Sequence, residues 1–170
     1  RLTRAQDIEI KNFSAHFNLI ALCSSGRDEG NEIFELRSLK EHIVFYIKLI
    51  NNILDKSSIK TINVKFFDYK KVDNSRLLNA IRNELSGFED VNIKIIKNSD
   101  FGKNYYGRLR FMISIIDRNN QEFDFVDGGF TNWTAKLLNN NKERLLTSGI
   151  GSDYLLRTMK IKLQPTNERH

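Results

Sequence analysis

The stretch from Asn31 to Lys56 constrains this chain more than any other. Phe34, Leu36, Leu39, Ile43, Tyr46, Ile47, Ile50, Ile53 and Leu54 recur every three or four residues. That period gathers them into one apolar stripe of a long amphipathic helix. Such a helix reads as either a core element or an interface, and the core reading is the simpler one. Thr61 to Phe67 reads as a strand, and Val91, Ile93 and Ile95 alternate as another. Leu109 to Ile116 and Glu122 to Val126 read as two strands, with Asp117-Arg118-Asn119-Asn120 as the hairpin turn between them. A second helix is predicted from an N-cap at Asp73 to Ser86, with Leu77, Leu78, Ile81 and Leu85 on one face and Gly87 as the stop. Asp7 to Ile10 alternates as a strand. Phe17 to Cys23 is a continuous apolar run that predicts a buried strand, and Ser24 to Gly30 predicts a loop. Short helices are expected at Asn132–Leu138 and Asp153–Met159. The pattern implies an α+β fold, a mainly antiparallel sheet flanked by helices. It spans one domain over residues 1–160, with a C-terminal tail over 161–170.

Composition narrows the function classes. With 170 residues, 40% hydrophobic and 28% charged, the chain matches a globular domain and excludes fibrous or largely disordered classes. Its single cysteine, Cys23, cannot close an internal disulfide and is expected to be a small core residue. The absence of disulfides fits a reducing, cytoplasmic setting. No window approaches a membrane-spanning run, so no membrane partner is expected. Arg1 in place of an initiating methionine is read as the mark of a fragment or a processed chain. The net charge of +6 is concentrated centrally, where residues 61–118 carry 11 basic and 7 acidic groups. His16, His42 and His170 are too scattered to predict a metal site.

Four segments carry candidate chemistry. Asp7-Ile8-Glu9-Ile10 puts two carboxylates on one face of a strand. Gly102-Lys103-Asn104-Tyr105-Tyr106-Gly107 precedes the strand that contains Phe111. Asp127-Gly128-Gly129-Phe130 closes the next strand, with the glycine pair read as a turn. Ser148-Gly149-Ile150-Gly151-Ser152-Asp153 opens a short helix. Adjacent glycines permit close backbone approach to a ligand. A helix N-terminus after glycines offers N–H groups to an anion. Neighbouring tyrosines on a strand point to opposite faces, so one at most would line a given pocket.

Taken in order, these segments resemble the C-terminal half of a class II aminoacyl-tRNA synthetase catalytic domain of the histidyl type. They also resemble its paralogue, the regulatory subunit of ATP phosphoribosyltransferase. Arg1, Asp7 and Glu9 fit the strand that ends the family's second motif, and the resemblance implies that Glu9 contacts the amino group of an amino acid. Gly102, Tyr105, Tyr106 and Phe111 fit the family's Arg-Gly-Leu-Asp-Tyr-Tyr-Thr-Gly-x-Val-Phe-Glu pocket signature. Gly128 and Gly129 fit its Gly-Gly-Arg-Tyr-Asp, and Gly149 and Gly151 fit its Gly-x-Gly-x-Glu-Arg-Leu third motif.

The departures from the family pattern are as informative as the matches. Phe101 stands where the family has the arginine that neutralises the reacting carboxylate and α-phosphate. Tyr154 stands where its third-motif arginine meets the nucleotide. Adenylate formation depends on such cations, and by analogy with one oxyanion donor each is worth about 3–4 kcal/mol. The resemblance therefore implies a non-catalytic, regulatory or assembly domain, with no catalytic residues and no firm cofactor, ATP being the one it admits. Its ligand is an amino acid or related small molecule. The ligand-binding residues are Glu9, Tyr105, Tyr106, Arg108, Asp127, Gly128, Gly129, Gly149 and Gly151. A homodimer or partner protein is a further expectation. Two alternatives stand beside it. One is an active ligase using Lys103, Arg108 or Arg110, with Arg108 and Arg110 on one strand face. The other is an RNA-binding module in which Lys65-Phe66-Phe67-Asp68-Tyr69-Lys70-Lys71 offers stacking rings among cations.

Overall fold

The computed structural model describes residues 18–69, 73–97 and 105–162. The elements in chain order are β1 (Leu19–Arg27), α1 (Ile33–Ile53), β2 (Ile59–Asp68), α2 (Ser75–Leu85), β3 (Val91–Lys97), β4 (Leu109–Asp117), β5 (Glu122–Thr131), α3 (Trp133–Leu137), β6 (Glu143–Gly151) and α4 (Ser152–Thr158). The strands form one six-stranded sheet in the order β1-β6-β5-β4-β2-β3. Every neighbouring pair is antiparallel except β2 and β3. That parallel pair requires a crossover, which α2 supplies. The predicted α+β architecture with a mainly antiparallel sheet is therefore present.

The periodic residues of α1 do what their spacing requires. Leu39, Ile43, Tyr46, Ile47 and Ile50 are fully buried. They join Ile62, Val64, Phe66, Phe111, Ile113 and Leu146 from the sheet, and Leu77, Ile81 and Leu85 from α2, in one apolar core. Each such side chain contributes about 1.5–3 kcal/mol of transfer free energy relative to exposure. The chain enters α1 through Gly30, Asn31 and Glu32, all at positive φ. Asp28 accepts a hydrogen bond from the Gly30 N–H at 2.9 Å and fixes that reversal. The helical face of the sheet is thus covered; the opposite, open face is exposed along β1 and holds a smaller buried cluster of Phe67, Tyr69, Tyr106 and Met112.

Several sequence expectations are corrected here. Phe17–Cys23 was expected as a buried strand. From Leu19 onward it belongs to β1, a sheet-edge strand with Leu19 56% and Ile20 44% exposed. Cys23 is exposed, not core. Its apolar run reflects a strand with one face on the open side, which continuity alone does not distinguish from burial. Ser24 to Arg27, expected as loop, completes β1. Gly128 and Gly129 do not make a turn; they sit inside β5, which runs on to Thr131. Ser148 to Gly151 is strand, and α4 begins only at Ser152. The strand β6 was missed, since Glu143-Arg144-Leu145-Leu146-Thr147 has no clean alternation. Past Lys160 the described chain is still paired: Ile161 bridges to Leu54, and Lys162 N–H donates to the Ile53 carbonyl at 2.8 Å. Among the described residues no helix is long and apolar enough to cross a membrane.

Candidate functional site

Register assembles the site. One transverse row across four strands places Arg110 opposite Gly129, Gly129 opposite Thr147, and Thr147 opposite Cys23. The next row places Met112, Asp127, Gly149 and Ala21 side by side. All eight project to the open face, because residues two apart on a strand share a face. Gly129 and Gly149 leave this floor low. A Cβ on Gly129 would stand 2.6 Å from the Tyr106 ring and 2.7 Å from the Leu109 carbonyl, and one on Gly149 would stand 2.9 Å from Leu19. Over this floor lies a cavity of about 540 Å³. Tyr105, Tyr106 and Trp133 wall one side, Leu19, Ala21 and Cys23 the other, and Arg110, Asp127 and Gly149 reach its base.

The two tyrosines meet the same cavity, contrary to the expectation for strand neighbours. They precede β4 and lie in irregular backbone. Their rings contact edge-to-face at 4.8 Å, and Tyr105 contacts Trp133 in the same way at 5.2 Å. Tyr106 is buried, and with Phe67, Tyr69 and Met112 it forms a small second apolar cluster. Arg110 lies across the rings of Phe67 and Tyr106, at 5.2 and 5.8 Å from their centroids. Its Nε donates to Asp127 at 2.7 Å. Burial, with the Asp127 carboxylate beside it, holds the Tyr106 phenol well above its ordinary value. Tyr106 is therefore a neutral hydrogen-bonding wall rather than a base.

The remaining predicted residues divide. Gly128 faces the other way: a Cβ there would stand 2.5 Å from the Ser148 Cβ and 2.7 Å from the Phe111 ring. Gly151 ends β6 ahead of α4 and does not line the cavity. Arg108 does not share a destination with Arg110. It donates to Glu32, to Glu35 at 3.1 Å and to Asn74 at 2.7 Å, which ties it to the N-terminal ends of α1 and α2. Arg144 completes that network through Glu35 at 3.2 Å and Asp28 at 2.6 Å. Arg108, expected as a ligand contact, thus lies in an ion network at the helix ends and does not line the cavity. Glu9, Phe101 and Lys103 lie outside the described residues. The basic and aromatic run is also spent: Phe66 is wholly buried, Phe67 is 8% exposed, and Lys65 pairs with Glu122 and Asp124. Lys70 and Lys71 lie outside the described residues.

No protein-family model matches the chain, and no curated protein is similar to it in sequence. Its backbone, however, superposes on the apo crystal structure of Staphylococcus aureus histidyl-tRNA synthetase with a TM-score of 0.60 at 14% identity, over 83% of this chain. The fold is class II synthetase-like. A further neighbour is the RNA binding domain of threonyl-tRNA synthetase from Cryptosporidium parvum, at a TM-score of 0.44, 9% identity and 68% coverage of this chain. The chain spans 39% and 30% of the length of these two proteins, respectively.

Within this synthetase-like sheet, sequence reasoning missed four contributors. Trp133 gave no signal beyond being the single tryptophan. Leu19, Ala21 and Cys23 form a period-two set concealed in a run of apolar residues. A fifth element lies beneath the floor. His42 on α1 is 3% exposed and bonds through Nε2 to Ser24 Oγ at 3.0 Å and through Nδ1 to Ser148 Oγ at 2.8 Å. Tyr46 shares the same Ser148 hydroxyl at 3.0 Å. Burial lowers the His42 pKa to about 4, so the ring is neutral and bridges β1 to β6 behind Gly149. A second cavity, of about 680 Å³, opens at the carboxyl ends of β2 and β3 between Asp68, Asp73, Arg82 and Lys97. It contains none of the ligand-binding residues that the synthetase resemblance implied.

Proposed function

We propose that this chain is a synthetase-like domain that binds an amino acid or related small molecule in the open-face cavity and acts by regulation or assembly, not by adenylate formation. The observation that carries this reading is the convergence of Tyr105, Tyr106 and Asp127 on one largely apolar cavity, with the Arg110–Asp127 ion pair at its base. Binding sites typically combine a concave apolar lining with a few placed polar groups. The loss of the reaction's cations supports the non-catalytic half. Tyr154 replaces an arginine of the resembled motif, and its ring rests on Phe125 at 5.2 Å. Arg108 is committed to Glu32, Glu35 and Asn74. Arg110 is committed to Asp127.

The test is a thermal-shift screen of the twenty amino acids and ATP, paired with amino-acid-dependent pyrophosphate exchange. A ligand at about 100 times its dissociation constant adds about 2.7 kcal/mol. The reading expects stabilisation by at least one amino acid or close analogue and no exchange. Silence from every candidate removes the binding half, and measurable exchange removes the non-catalytic half.

A further inference from the structure

We infer that the ligand of the open-face cavity presents an alkylated organic cation, a substituted ammonium group, and brings no anionic group of its own to the cavity. This rests on the binding reading above and narrows it. The argument begins with unequal exposure of the ion pair at the base. The Arg110 side chain is 7% exposed, while its partner Asp127 is 48% exposed. The guanidinium lies covered by the Phe67 and Tyr106 rings. A ligand entering the cavity therefore meets far more of the carboxylate than of the cation.

The walls carry the same sign. Tyr105 is 52% and Trp133 48% exposed. Tyr105 stands nearly perpendicular to both Tyr106 and Trp133, at 82° and 86°. Three rings in that arrangement make a corner, and the faces of aromatic rings carry negative charge density that attracts cations within about 6 Å. Leu19, Ala21 and Cys23 complete the cavity with apolar surface suited to alkyl substituents. Arg110 is the sole cationic residue among the described residues that line the cavity. A phosphate or carboxylate would face ring surfaces and a carboxylate there, whereas an alkylammonium is matched at each wall.

The experiment is calorimetric titration of the full chain with choline and with 3,3-dimethyl-1-butanol, which has the same shape without the charge. A zwitterionic amino acid series is run alongside. Choline is expected to bind at least about tenfold more tightly than the neutral alcohol, since a desolvated cation–π contact accounts for that ratio. Trp133→Ala is expected to weaken choline about tenfold at unchanged Tm, and Asp127→Asn to weaken it at least as much. Trp133 is exposed, so its substitution tests the corner even if the Asp127 variant misfolds. Equal affinity for the two probes, or choline binding indifferent to Trp133→Ala, overturns the cation assignment. Stabilisation by amino acids with none by choline does the same, and in both cases the binding reading survives. No binding by any probe ends both.

Discussion

On the helix-covered face of the sheet, Phe66, Phe111, Ile113 and Leu146 are fully buried and pack with α1 and α2. On the open face the same strands carry Phe67, Arg110, Met112, Asp127 and Thr147, and the glycines that lower the floor. Alternation along each strand makes this division: one set of positions stabilises the fold, and the set offset by one residue shapes a cavity. Substitutions on the two faces should therefore separate stability from binding. The cleanest break of that expectation would be a helix-face change that unfolds nothing. Phe111→Ala empties a fully buried ring position and should cost about 3–5 kcal/mol, read by urea denaturation.

The next effect links the covered face to pH. Folding lowers the His42 pKa from 6.5 to about 4. Between those values the unfolded chain binds a proton that the folded chain refuses. Stability is therefore complete above about pH 6.5 and declines as pH falls towards 4, by up to about 3 kcal/mol. Denaturation midpoints between pH 7 and 4.5 measure the slope, and His42→Gln should abolish it. Below that window Glu122 contributes separately. Hydrogen bonds from Ser114, from Asn63 and from Lys65, together with the Lys65 charge, hold its pKa at about 2, against a partial desolvation. The stability it provides is present above about pH 4.5 and is lost as pH approaches 2.

Adjacent glycines test the two faces within one strand. Gly128→Ala drives a Cβ against Phe111 and Ser148 on the covered side, and Gly129→Ala drives one against Tyr106 and the Leu109 carbonyl on the open side. Each should cost about 1–3 kcal/mol by overpacking. Gly128→Ala should cost more, because Phe111 is locked in the core. Gly129→Ala should alter ligand affinity as well, because Tyr106 must move. Equal binding by both variants would erase the distinction between the faces.

These positions also show what the sequence could and could not reveal. The period of α1 named its own buried residues, and the hairpin β4–β5 was readable from alternation around Asp117 to Asn120. Tyr105, Tyr106 and Asp127 were recognisable as a set through motif order. The cavity's far wall was not, because Leu19, Ala21 and Cys23 lie in an apolar run whose face depends on which strand pairs with β1. That pairing joins residues more than a hundred positions apart, such as Ala21 and Gly149, and no local pattern encodes it. Arg108 illustrates the reverse case: two residues from Arg110, it lies just ahead of β4 and turns towards α1. The bonding of His42 likewise depends on two serines from distant strands, and a lone histidine on a helical stripe gives no hint of them.

The smallest stability effect is the sharpest probe of the open face. Trp133 is half exposed and touches Tyr105 at its ring edge, and none of the main core residues depends on it. Surface substitutions of this kind usually change stability by no more than about 0.5 kcal/mol. Trp133→Ala should therefore leave the urea midpoint almost unmoved while removing one wall of the cavity, with ligand affinity falling alone. Phe111→Ala should do the opposite at matched native population: lower stability with intrinsic affinity retained. If Trp133→Ala lowered stability as Phe111→Ala does, the open face would be part of the core, and a cavity built on spare positions of the sheet would no longer describe this molecule.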